Sequence, residues 1–177
     1  MAVALVGFPP TGGYVNENGI ASTADSTARG PVGALYTAWD SATDNWSIVR
    51  YYQAGATVLQ GDALMQDTSA RKPYKFLRNT ADGTIPRGFA AADVSNTNYY
   101  SYCYIAGYCP TIKFGSGFAS NTFFALTASF TGGLSSYGLN ATLGTSVFVT
   151  TRIGVVWSLG TGTTTGTDSG IIQGFLL

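Results

Sequence analysis

The chain has 177 residues, nine basic and nine acidic side chains that cancel, and no histidine. Only 10% of residues are charged, against a typical ~25%, while 45% are hydrophobic and 14% aromatic. This composition leaves no residue for a Ser-His-Asp or Cys-His pair or an ordinary zinc site, gives no excess positive charge for sequence-independent nucleic-acid binding, and argues against a largely disordered chain.

Residues 1–45 open the chain without sustained alternation. Pro9-Pro10, Gly12-Gly13 and Gly30-Pro31 punctuate isolated apolar patches at Val3–Phe8, Tyr14–Val15 and Leu35–Trp39. The opening MAVALVGFPP has no basic n-region and too short an apolar run for a secretory signal. No run nears eighteen apolar residues, so no transmembrane helix and no membrane partner are expected. The segment reads as an extended N-terminal arm that docks piecewise on other surfaces, with Phe8, Tyr14, Tyr36 and Trp39 as its aromatic anchors. An ordinary meander packed on its own domain is the alternative. Good helix formers are scarce, and the one helical turn the pattern allows lies around Gly33–Trp39.

From Trp46 the pattern changes to short strand-like runs separated by turn residues. They are WSIVRYYQ, ATVLQ, DALMQD, PYKFLRN, RGFAAADV, YYSYCYIAGYC, TIKFG, TFFALTASF, SVFVTTR, IGVVWSL and IIQGFLL. Tyr100, Tyr102 and Tyr104 alternate with Ser101, Cys103 and Ile105, which places aromatics on one face of a strand. So many short strands predict an all-β fold, a compact β-barrel or sandwich of short strands over 46–177 with the extended arm over 1–45.

Charge is uneven. Residues 1–49 hold Glu17, Asp25, Asp40 and Asp44 against Arg29; residues 50–87 hold six bases against Asp62, Asp67 and Asp82. An acidic arm and a basic middle attract each other, within or between chains, and Arg71, Lys72 and Lys75 are the basic candidates for an interface. Bases in such a stretch also read simply as a solvated loop.

Candidate chemistry is thin. Cys103 and Cys109 suit a disulfide only across a hairpin turning at Ala106-Gly107; free buried thiols are the expectation, in a cytosol-made chain. GTGTTTGTDSG at 160–170 lacks the Lys-Ser/Thr of a phosphate loop and reads as a hairpin tip. Each aspartate stands beside a residue such as Gly, Ser, Thr, Ala or Asn, where turn capping is the default role. No paired carboxylates, cofactor motif or metal cluster emerges, so the expectation is a non-enzymatic protein without cofactor.

Three words carry a resemblance: QGDALMQDTSA, IPRGFAAADVSN and YIAGYCPTIKF, followed by the closing RIGVVWSLGTGTTTGTDSGIIQGFLL. Here the chain resembles the small head-decoration (cement) and head-fibre proteins of tailed bacteriophages. In that family a Gly-Asp turn opens a strand, a Gly-apolar-Ala-x-Ala-Asp strand follows, and a strand holding Ala-Gly precedes the next turn. The resemblance implies a β-rich domain, made in the host cytoplasm, on the outer capsid surface of the virion, with the major capsid protein as partner and homotrimers at local three-fold positions. Sparse charge and many aromatics independently suit self-association. The alternative, from another class, is a carbohydrate- or receptor-binding adhesion module of a phage fibre or tail; it requires an exposed aromatic with Asp or Asn at strand ends.

Overall fold

The period-2 alternation from Trp46 onward becomes hydrogen-bonded strand in the computed structural model, which describes residues 3–7, 24–40, 43–79, 86–114, 123–125, 128–130, 133–134, 155–158 and 166–173. Twelve strands run through these residues: β1 (Val3–Gly7), β2 (Leu35–Asp40), β3 (Asn45–Ala54), β4 (Ala63–Gln66), β5 (Lys75–Arg78), β6 (Gly88–Ala90), β7 (Tyr100–Phe114), β8 (Phe123–Ala125), β9 (Ala128–Phe130), β10 (Gly133–Leu134), β11 (Val155–Ser158) and β12 (Gly166–Gln173). A single 3₁₀ turn, Thr68–Ala70, is the one helical element among them. The fold is all-β, as the sequence predicts.

The pairing closes on itself. β3 pairs with β5, β5 with β4, β4 with β6, β6 with β7, and β7 returns to β3. This ring makes the barrel, of the two architectures expected. β3 and β7 are longer than the ring needs and carry extensions on their second edges. β3 gives Asn45–Arg50 to β2, which in turn carries β1, and β7 gives Gly107–Phe114 to β12, followed by β11 and β8.

Alternation decides what the barrel buries. In β3, Ser47, Val49 and Tyr51 are buried, while Trp46 and Ile48 lie on the opposite, more open face. Beyond Val49 both faces are covered, because one side lines the barrel and the other is crossed by the segment from Asp25 to Gly33, whose Arg29 N–H reaches the Tyr51 hydroxyl. Among the described residues, Tyr51, Tyr52, Leu64, Phe76, Phe89, Ile105 and Ile112 are the large side chains removed from solvent. Burying each of them stabilises by roughly 1.5–3 kcal/mol before cavity effects. Tyr52 stacks on Phe76 at 5.5 Å, and Tyr102 meets Tyr36 edge-on at 5.7 Å and Tyr51 at 5.0 Å.

Three local expectations are corrected. Residues 33–39 form no helical turn: Leu35–Asp40 is extended and antiparallel to β3, with Tyr36, Ala38 and Asp40 inward. The boundary at residue 45 falls inside the β2–β3 hairpin, so the chain does not divide there. Residues 24–34 also adhere to the barrel. Asp25 and Tyr100 exchange both backbone bonds at 2.8 Å, Gly33 N–H donates to Tyr51 C=O at 2.7 Å, and Arg29 N–H donates to the Tyr51 hydroxyl at 3.1 Å. Finally, YYSYCYIAGYC and TIKFG are one strand, β7, and not two. Its bend is made by skipping Ile105 opposite Ile48/Val49 and by Gly107, at φ +77°. A side chain at 107 would sit 2.3 Å from the Trp46 carbonyl oxygen, so only glycine fits there.

Candidate functional site

Two surfaces stand out, at opposite ends of β3. At its far end lies the loop joining β4 to β5. Asp67 caps the 3₁₀ turn, its Oδ1 accepting from Ser69 N–H at 3.0 Å and from the Ser69 hydroxyl at 2.6 Å. Arg71 ends the turn in the left-handed region, at φ 50°. The Gln66 side-chain amide braces the return: its Nε2 donates to the carbonyls of Lys72 at 2.7 Å and Lys75 at 3.1 Å.

On this braced loop Arg71 and Lys72 are exposed. Lys72 Nζ reaches Gln53 Oε1 at 3.3 Å, and Lys75 is half-buried, 3.8 Å from the Asp67 carboxylate. The Arg50 guanidinium lies over the Tyr74 ring at 5.3 Å. The basic run read from the sequence is therefore a hydrogen-bonded loop, with Arg71 and Lys72 exposed and Lys75 turned towards Asp67.

At the start of β3, about 23 Å away along the strand, lies an apolar face. Trp46 is 52% exposed and packs its ring on Trp39 of β2 at 5.0 Å. Leu35, 37% exposed, lies further along β2, and alternation puts it on the same outward side as Thr37 and Trp39. Beside Trp46 is an open depression of about 310 Å³ lined by Thr37, Trp46, Ser47, Ile48, Ala106 and Gly107. Ser47 offers little there, because its hydroxyl donates to the Tyr108 carbonyl.

The expected aromatic anchors are thus divided. Tyr36 is a core residue, Trp39 is half-buried under Trp46, and Phe8 and Tyr14 lie outside the described residues. By sequence alone Trp46 is only the first residue of a strand. The signal was present: Trp46 and Ile48 share the parity opposite to the buried Ser47, Val49 and Tyr51.

The three words of the resemblance come together in the barrel. The Gly61-Asp62 turn, with Gly61 at φ +82°, opens β4; Ala63 pairs with Phe89 of β6, and Phe89 with Tyr104 of β7. Asp62 is wholly buried. Its Oδ2 lies 3.0 Å from Arg78 Nε and accepts from Leu59 N–H at 2.9 Å, and its Oδ1 lies 3.3 Å from Lys113 Nζ. Lys113 N–H also donates to Gly61 C=O at 3.0 Å, so the turn is clamped to the far half of β7 from both backbone and side chain. This carboxylate does more than the turn capping expected of it.

Cys103 and Cys109 are both free and buried. They lie on one strand rather than on two arms of a hairpin, since Ala106-Gly107 is a bend within β7. Burial pushes the Cys103 thiol up to about 12, against a weaker lowering effect of Arg50, and raises Cys109 as well. Thiolate is the reactive form. The native protein at about pH 8 is therefore expected to resist iodoacetamide at both positions, and both should alkylate fully in denaturant. Labelling of either cysteine at the denatured rate without denaturant would contradict their burial.

The tract at 160–170 ends inside β12, which begins at Gly166, so its second half is strand rather than hairpin tip. Among the described residues no group of three or more His, Cys, Asp or Glu is placed to hold a metal ion, and no helix is long and apolar enough to cross a membrane. No family model matches the chain, and no curated protein or solved structure is detectably similar to it.

Proposed function

We propose that this chain is a structural, non-catalytic protein that binds the outside of an icosahedral phage capsid and stabilises the assembled shell. The observation that supports this reading most is the convergence of the three decoration-like words. Far apart in sequence, they become the adjacent strands β4, β6 and β7, with the buried Asp62 at the head of β4 paired to Lys113 of β7. The Arg71–Lys72 loop is the capsid-facing element of this reading. A hydrogen-bonded loop of positive charge, on a chain otherwise poor in charge, suits an acidic patch of coat protein. Binding to assembled shell and not to free subunits then stabilises the shell by mass action.

The test adds purified protein to shells of the parent virus stripped of it. The expected result is co-sedimentation at a fixed ratio to coat protein and a raised temperature of shell disruption. The double variant Arg71→Glu/Lys72→Glu should bind at least about tenfold more weakly, with most of the loss removed by high salt. Failure to co-sediment sinks the reading; unchanged binding of the double variant sinks the role of the loop.

A second reading, carbohydrate adhesion, has one observation in its favour: Trp46 is exposed at a strand end, next in the chain to Asp44 and Asn45.

A further inference from the structure

We infer that the segment 24–34 and the basic loop form one clamped unit, with the Tyr74 ring as the clamp. Tyr74 is then a positioning residue: through it the segment sets how Arg71 and Lys72 are presented to a partner. The inference rests on the reading above for the loop's task in binding. The coupling itself is tested without capsids, so that either can fail alone.

Tyr74 touches both elements at once. Its carbonyl accepts from Gln53 N–H at 3.0 Å, which fixes the end of the loop to β3. On one side of its half-buried ring the Arg50 guanidinium stands 5.3 Å from the ring centre. On the other side lies Gly33, so close that a side chain there would sit 2.2 Å from the ring carbons. Gly33 has φ +98° and donates its N–H to Tyr51 C=O at 2.7 Å. Only glycine both takes this conformation without strain and leaves room for the ring. A second link joins the loop to the other end of the segment. Lys72 Nζ reaches Gln53 Oε1 at 3.3 Å, Gln53 Nε2 donates to the Tyr100 hydroxyl at 3.1 Å, and Tyr100 exchanges backbone bonds with Asp25.

Charge shows why the clamp matters for binding. Arg29 is paired with Asp25, and Lys75 lies against Asp67. Among the described residues no carboxylate is paired with the exposed Arg71 or Lys72, so theirs is the charge an acidic partner meets. A loop already held in place loses less freedom on binding than a free one. Such coupling is reciprocal: what loosens the segment loosens the loop, and the reverse.

One trypsin digest reads both elements, since the segment holds the Arg29–Gly30 bond and the loop the Arg71–Lys72 bond. Tyr74→Ala, a change in the loop, should speed cutting at Arg29; Gly33→Ala, a change in the segment, should speed cutting at Arg71. Each rise should be at least about tenfold, with cutting after Arg78 and Lys113 unchanged. Tyr74→Phe keeps the ring and should match the wild type. Cutting that rises only in the element carrying the substitution overturns the inference, as does a Tyr74→Phe protein that behaves like Tyr74→Ala. A variant that unfolds outright is also cut quickly after Arg78 and Lys113, and the wild type then decides. In one clamped unit the amides of Gly33 and Gln53 exchange hydrogen through a single opening, with the same protection and the same urea dependence; two separate openings overturn the clamp. On stripped shells Tyr74→Ala should bind about tenfold more weakly with both bases in place, and Tyr74→Phe like the wild type. Full shell binding by Tyr74→Ala overturns the part of Tyr74 in presentation. A wild type that ignores shells sinks the capsid reading and leaves the coupling standing.

Discussion

Replacing Asp62 by alanine is expected to remove about 3 kcal/mol of stability, near the lower end of what breaking a buried ion pair costs. Arg78 loses its counter-ion, and Lys113 and the Leu59 N–H lose their acceptor, all at once. The two cations retain 29% and 20% side-chain exposure, so each regains part of its hydration, which keeps the loss from being larger. Lys113→Met should cost less, because Asp62 then still holds Arg78 and Leu59. For a domain of this size about 3 kcal/mol corresponds to a fall of roughly 10 °C in Tm. Urea unfolding of both variants measures it, and a loss under about 1 kcal/mol for Asp62→Ala would show that the node is dispensable.

The second large effect is expected at alkaline pH. Burial raises the ionisation of Cys103, to about 12, and also that of Cys109, Tyr52 and Tyr104. Each of these groups is neutral when protonated, and the fold favours that neutral form. Their contribution is fully present below the unfolded values, about 8.5 for Cys and about 10 for Tyr. It is lost as pH rises from there towards the folded values, because the unfolded chain then binds fewer protons. Each group costs about 1.4 kcal/mol per pH unit in that window. By about pH 10.5 the two thiols alone remove on the order of 5 kcal/mol, comparable to the whole stability of many domains. The urea midpoint should be flat to about pH 8.5 and then fall steeply. In a Cys103→Ala/Cys109→Ala protein the fall should begin only near pH 10, where the phenols take over. A midpoint that holds through pH 10 in the wild type would refute the account.

How much of this was legible in the sequence depended on how far apart the interacting residues lie. β3 was readable because its alternation is local, and the basic loop because Arg71, Lys72 and Lys75 stand together. β2 was not: Gly30, Pro31 and Gly33 look like punctuation, and LYTAWD shows its period only once Tyr36 and Ala38 have Tyr51, Tyr102 and their neighbours to pack on. The single span of β7 was hidden by Gly107 and Pro110, which read as stops but act as a bend and as a proline tolerated in an irregular strand. Asp62 looked like a turn cap because Lys113 stands 51 positions away. Trp46 was readable from parity, yet an outward tryptophan identifies itself only when the inward face is known.

The closed ring of strands also sets an order of events during synthesis. Its last seam joins Ser47 to Gly107, sixty positions apart in the chain, and the strands between them cannot complete a barrel until β7 has been made. Until then β3, β4 and β5 have edges without partners, and the nascent chain offers them to any other strand it meets. Contacts of such long range fold slowly, in milliseconds to seconds rather than microseconds. A ribosome adding about 5–20 residues per second would hold the open form for several seconds between those two residues. Newly made copies crowded on one messenger would therefore be most prone to tangle before residue 107 emerges, and the Gly107–Phe114 edge stays open until β12 follows.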